Sequence, residues 1–240
     1  MLRAGWVVWV FLAISPGAAA LAETLHFVTE EVAPVNMAGP GKGEIQGIAT
    51  EVIEKALAES RTPYDVSLFS WARAYDLALN GRNSCVYATS RTEEREPLFK
   101  WIGPIVRDRW VLFGRIDGPA LTSLDEARGY SIGGHYDGAS TRYLKSLGFE
   151  IDEVADFHSN MRRVAAHRLD FAVSGLLGGA YAIAHDKELA DIVPVLVLKD
   201  IDLYVACNRT VPDKIVARLN AIVQRMNEDG TVAAAIKRYQ

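Results

Sequence analysis

Arg95 carries the clearest chemistry in this chain. It closes the run Ser90-Arg91-Thr92-Glu93-Glu94-Arg95, a polar turn after the apolar stretch Cys85 to Ala88. A guanidinium is a rigid fork of donors that matches a carboxylate or a phosphate. If Val86 to Ala88 is a buried strand, Arg95 stands just past its carboxyl end, where open α/β sheets bind ligands. Ser90 places a hydroxyl at the same end, and Trp71, opening the preceding helical stretch, offers an apolar wall. The plain alternative is a surface arginine paired with Glu93 or Glu94.

A second corner lies further along. Tyr130 to Gly134 reads as a strand ending in two glycines, followed by His135-Tyr136-Asp137-Gly138-Ala139-Ser140-Thr141 and a helix from Thr141 to Leu147. A strand, a glycine-containing loop and a Ser/Thr helix start present backbone N–H groups and a positive dipole end to an anion. The loop is not of the Gly-Lys-Ser/Thr kind, so nucleotide hydrolysis is a weak reading. The plain alternative here is an ordinary capped helix.

Other chemistry has little support. The five histidines are scattered and no Cys-Xaa-Xaa-Cys spacing exists, so no metal, cofactor or catalytic residue is expected. Cys85 and Cys207 both sit in apolar, strand-like runs. Two readings stand for them, a disulfide in an oxidising compartment or two buried small hydrophobes. Sequence cannot supply the geometry that decides. The net charge of −4 is spread without a basic stripe, which argues against nucleic acid.

The elements that must position these residues follow from patterning. Met1 to Ala22 reads as a signal peptide: Arg3, an apolar run from Trp6 to Ile14, a Ser15-Pro16-Gly17 break and a small-residue end at Ala20-Leu21-Ala22. Leu25 to Thr29 alternates as a first strand, followed by the loop Glu30 to Pro34. A helix spans Thr50 to Ala58 and a second strand Val66 to Phe69. Ser70 caps a helix that Asn80-Gly81 stops with a left-handed turn. Trp110 to Phe113 reads as a strand closing a first lobe, and Thr122-Ser123-Leu124-Asp125-Glu126 as a strong helix start. Asn160 to Arg168 and Leu176 to His185 are expected helices, with a strand ending at Ser174 between them. Ile192 to Leu198 reads as a strand broken by Pro194, and Leu203 to Cys207 as a separate strand crossing back. The apolar spacing of Ile215, Leu219, Ile222, Val223 and Met226 marks a final long helix, followed by a short one. This order predicts two α/β lobes joined by a two-strand hinge: residues 23–112 with 204–240, and residues 113–203. A cleft between such lobes suits a small ligand.

The order of motifs resembles the bacterial extracellular solute-binding proteins, family 3, from about Leu25 to Tyr239. The resemblance rests on a helix opening near an aromatic, a strand, Ser90 to Arg95, and then Phe99 to Pro104. It implies a type II periplasmic binding fold, a periplasmic location and a monomer that passes a small, carboxylate-bearing, amino-acid-like ligand to a membrane ABC permease. In that reading Arg95 clamps the carboxylate, Ser90 and Ser140 or Thr141 donate to it, and Trp71 walls the cleft. Tyr136 or Asp137 closes it from the second lobe. Two departures stand out. Val32 occupies the place of a common aromatic, and Ser174-Gly175 stands where amino-acid binders carry an acid for the ligand ammonium. Either Glu30, Glu31 or Asp137 substitutes, or the ligand is not an ordinary α-amino acid. The alternatives are a periplasmic dehydratase or lyase using Glu30, Glu31, Asp137 or His135, and a soluble sensory partner of a membrane receptor.

Overall fold

The computed structural model describes residues 24–156 and 159–239, so the signal-peptide reading falls outside the described residues. In chain order the elements are β1 Leu25–Thr29, β2 Met37–Ala38, β3 Ile45–Gln46, α1 Ile48–Ser60, β4 Tyr64–Leu68, α2 Trp71–Asn80 and β5 Ser84–Ser90. Then come β6 Lys100–Arg115, β7 Ile132–His135, α3 Ala139–Ser146, β8 Ile151–Val154, α4 Ser159–Ala165, β9 Phe171–Gly175 and α5 Leu176–His185. The chain closes with β10 Ile192–Cys207, α6 Asp213–Glu228 and α7 Thr231–Arg238.

The fold is two α/β lobes on a pair of long crossing strands. Both β6 and β10 run for 16 residues and pair antiparallel from Ile192↔Arg115 to Cys207↔Lys100. At about 3.3 Å per residue each reaches roughly 50 Å, enough to pass through both lobes. The strand order is β4-β1-β5-β10-β6-β9-β7-β8. Parallel strands β4, β1 and β5 join the carboxyl half of β10, and parallel β8, β7 and β9 join the carboxyl half of β6. Apolar packing divides in the same way. One set of clusters gathers Leu25, Phe27, Ile53, Tyr87, Val205 and Val223, and the other Phe113, Leu144, Met161, Phe171 and Ile192. Leu219, Ile222, Val223 and Met226 of α6 are buried as their spacing requires. Cys85 and Cys207 face each other across β5 and β10 and form a disulfide.

Several local expectations change. The strand expected at Trp110 to Phe113 is the second half of continuous β6, and the two strands expected around Pro194 and Leu203 are one, β10. Pro194 cannot donate to a ladder, and the register shifts between Pro194 and Leu196 to take it up. At the expected helix start Glu126 accepts from the backbone N–H and the hydroxyl of Thr122 at 2.8 and 2.6 Å, but the N-cap residue Ser123 returns no side-chain capping hydrogen bond. Only a 3₁₀ turn, Leu124–Ala127, follows, because Gly129 turns the chain left-handed at φ 91°. The left-handed stop after α2 is Asn83 at φ 55°, while Gly81 is extended at φ −84°.

Candidate functional site

Arg95 is 3% exposed, an unusual place for a charge. Helix α2 makes this possible by setting Trp71 and Tyr75 one turn apart on one face. The Arg95 guanidinium lies 5.0 Å from the Trp71 ring and 5.2 Å from the Tyr75 ring. Burial pushes its pKa down, with the Tyr75 hydroxyl pulling it back. Its Nη1 donates to the carbonyl of Ser90 at 3.3 Å, and it makes no ion pair among the described residues. A guanidinium offers five donors, so most of this fork is available to a ligand. The aromatic row continues through Phe99 and Trp101 to Tyr204, and Arg91 sits over the last two at 5.6 and 5.4 Å.

Arg95 lines a cavity of about 570 Å³ at the junction of the lobes. Ser90, Glu94, Trp110, Arg142, Tyr143 and Tyr204 share it. Deeper in, a chamber of about 110 Å³ is lined by Glu30, Asn36, Asp108, His135, Ser140 and Gly175, among others. The two cavities share Ser90, Trp110, Ala139 and Ile201. A third opening of about 380 Å³ reaches Glu30 and His135 from the side of Glu31, Trp71 and Asp156. The result is one cleft with a large mouth, a narrow interior and a second mouth.

The interior is acidic. Burial lifts the Glu30 carboxyl to about 8, against the pull of the Arg95 charge. Its Oε2 lies 3.6 Å from Nε2 of His135, which donates to the Ala155 carbonyl at 3.0 Å. Burial also lowers the His135 pKa, so the imidazole is held in its neutral form. Asp108 projects from the middle of β6 and accepts from Leu177 N–H at 3.0 Å, capping α5. Burial raises its carboxyl to about 6, opposed by backbone N–H groups of Arg109, Leu177 and Leu176. A Cβ at Gly175 would run into this carboxylate. That collision is a physical reason for a glycine where a ligand-binding acid was sought: Asp108 already fills the corner.

The structure brings Arg95, Ser90 and Ser140 to adjoining cavities, with Glu31 and Trp71 at the second mouth. It does not bring every candidate there. Tyr136 is 58% exposed. Thr141 is buried and donates to the His135 carbonyl at 2.8 Å, and Ser174 is buried with its hydroxyl on the Gly175 carbonyl at 3.3 Å. Asp137 pairs with Arg142, which also pairs with Glu94 across the cleft. Asn36, Tyr75, Asp108 and Arg142 were missed. For Asp108 a signal existed: Arg107-Asp108-Arg109 is a polar triplet between the apolar runs of β6.

Residues 25–240 match the sequence profile of the bacterial extracellular solute-binding proteins, family 3. A histidine kinase sensor domain with similarity to periplasmic binding proteins superimposes with a TM-score of 0.82 at 20% identity, covering 90% of this chain and 95% of that one. An ancestral arginine-binding protein bound to arginine gives 0.78 at 15% identity, covering 90% and 97%. The amino acid ABC transporter substrate-binding protein AbpA from Streptococcus pneumoniae, bound to L-arginine, gives 0.78 at 15%, covering 90% and 94%. At these identities the likeness is one of fold. No match is found among curated protein sequences.

Proposed function

We propose, because the chain belongs to the bacterial extracellular solute-binding proteins, family 3, that it captures a small carboxylate-bearing, amino-acid-like solute in the interlobe cleft and delivers it to a membrane ABC permease. The observation that carries this reading is Arg95: a buried guanidinium, framed by two rings, with one carbonyl as its hydrogen-bond partner among the described residues. A buried cation without an anion is costly, and a ligand carboxylate would supply one. Ser90 and Ser140 donate further hydrogen bonds in this reading, and Trp71 backs the guanidinium.

In this reading the lobes divide as residues 23–112 with 204–240 against 113–203, except that Trp110 to Leu112 pair with β9 and go with the second lobe, and β6 and β10 form the hinge. A ligand touching both lobes favours their closed arrangement, because only that arrangement makes both sets of contacts. The permease reads closure, and the protein works as a periplasmic monomer. The family and the structural neighbours are binding proteins, which supports capture over catalysis. The sensor-domain neighbour supports a second reading, in which a membrane receptor reads the same closure.

Thermal unfolding of the exported protein against a panel of carboxylates, amines and neutral sugars tests this. A ligand bound only by the folded state must raise the melting temperature with concentration. Carboxylates are expected to do so. Arg95→Gln is expected to weaken them by about 2–5 kcal/mol, roughly thirtyfold to several-thousandfold. A panel in which only uncharged solutes act, or an Arg95→Gln protein that responds like wild type, rejects the reading.

A further inference from the structure

We propose that the inner chamber is a subsite for a cationic nitrogen. The ligand is then a carboxylate whose amine or guanidinium sits at the far end of an apolar spacer and not on its α-carbon. This deepens the reading above and rests on Arg95 holding the carboxylate.

Acceptors collect in the chamber from three separate elements. Glu30 comes from the loop after β1, Asn36 from the turn before β2, and Asp108 from the hinge strand β6. Asn36 has 0% exposure; its Nδ2 donates to Thr29 Oγ1 at 2.8 Å, while its buried Oδ1 receives no hydrogen bond from the described residues. A buried acceptor without a donor costs about 1–3 kcal/mol, and an ammonium or guanidinium would supply only donors. Among the described residues, the two carboxyls that share the chamber have no cationic side chain hydrogen-bonded to them. Asp108 is held by backbone N–H groups, and the neighbour of Glu30 is the neutral-leaning His135. The walls between are apolar: Val35, Ala88, Leu203 and Trp110.

The acids around Arg95 are in a different state. Glu94 is paired with Arg142, Asp200 with Arg109 at 2.9 Å, and Asp202 with Arg107 at 3.9 Å. Glu93 is solvent-exposed. An α-ammonium next to the Arg95-bound carboxylate would compete with arginines or water for those groups. A nitrogen carried into the chamber meets no such competitor. Size agrees. At about 30 Å³ per water, the 110 Å³ chamber holds three or four heavy atoms, enough for a nitrogen and its last two or three carbons.

Burial keeps the Glu30 carboxyl protonated at neutral pH, so an arriving cation would displace that proton. The charged or titratable groups around Glu30 are Arg95, His135, Glu31, Asp108 and Asp156.

Isothermal titration at pH 7.5 with 3-aminopropanoate to 6-aminohexanoate tests the subsite, each compared with the unsubstituted acid and the α-amino isomer of the same length. At least one terminal amine is expected to bind tenfold or more tighter than both comparators, and Glu30→Gln to remove that advantage while still binding the unsubstituted acid. Retained binding of that acid by the variant also reports that it folds. α-Amino isomers binding as well as the terminal ones, or a preference unchanged in Glu30→Gln, overturns the subsite and leaves the Arg95 clamp standing. A series in which no carboxylate binds overturns both.

Discussion

At the large mouth of the cleft a guanidinium lies against the paired rings of Trp71 and Tyr75. Inside, the Glu30 carboxyl is buried next to Asn36, Asp108 and a neutral-leaning histidine. Arg95 keeps its charge, because an arginine does not lose its proton in a protein. Its surroundings answer with ring faces, worth about 2 kcal/mol when desolvated. Glu30 answers by holding its proton up to about pH 8. One end of the cleft is therefore a fixed charge. The other can acquire charge, and does so most readily when a cation enters. Burying either group costs the empty protein stability, which is the usual mark of a site kept for function.

The difference can be sharpened by removing the inner carboxyl. The Glu30 pKa is about 8 in the folded protein and 4.5 in the unfolded chain. The folded form therefore holds a proton that the unfolded form releases between those values. Its contribution to stability is full below pH 4.5 and is lost as the pH rises through 8. The side chain keeps 22% of its surface exposed, so the cost at pH 7 is at most about 3 kcal/mol. Urea unfolding of Glu30→Gln should show that gain at pH 7 and no gain at pH 4. Equal stability at both pH values would mean that Glu30 ionises freely and that the two ends of the cleft are alike.

A smaller effect is expected at the corner where Asp108 meets Gly175. Gly175→Ala puts a Cβ against the Asp108 carboxylate and should cost about 1–3 kcal/mol by crowding. The companion Asp108→Asn, Gly175→Ala protein should recover none of this, since the amide fills the same volume. Asp108→Ala should relieve the crowding, although α5 then loses its cap. Denaturant midpoints of the three proteins measure this. A harmless Gly175→Ala would show that Asp108 does not hold the corner.

The Arg95 end was legible because its parts are consecutive. A helix bearing Trp71, a strand, and a turn closing on an arginine fall within one run of chain, where local patterning and motif order report them. The overall fold was legible for the same reason, since helices such as α5 and α6 follow their apolar spacing. The inner end was not legible, because its acceptors come from the β1 loop, the approach to β2 and the middle of a strand, and only packing brings them together. Local rules also misled where tertiary pairing overrode them. Pro194 looked like a strand break but sits at a register shift in β10, and the helix start at Thr122 to Glu126 gives only a 3₁₀ turn without a side-chain cap. The disulfide stayed open for a similar reason, since only the β5–β10 register sets Cys85 opposite Cys207.

A crystal structure of the protein with a carboxylate that raises its melting temperature tests the central claim most directly. The account predicts both carboxylate oxygens about 3 Å from the Arg95 guanidinium nitrogens, in the cavity shared with Ser90 and Trp110. A ligand seated elsewhere, with its carboxylate on solvent or on another residue and Arg95 still bonded only to Ser90, would contradict it.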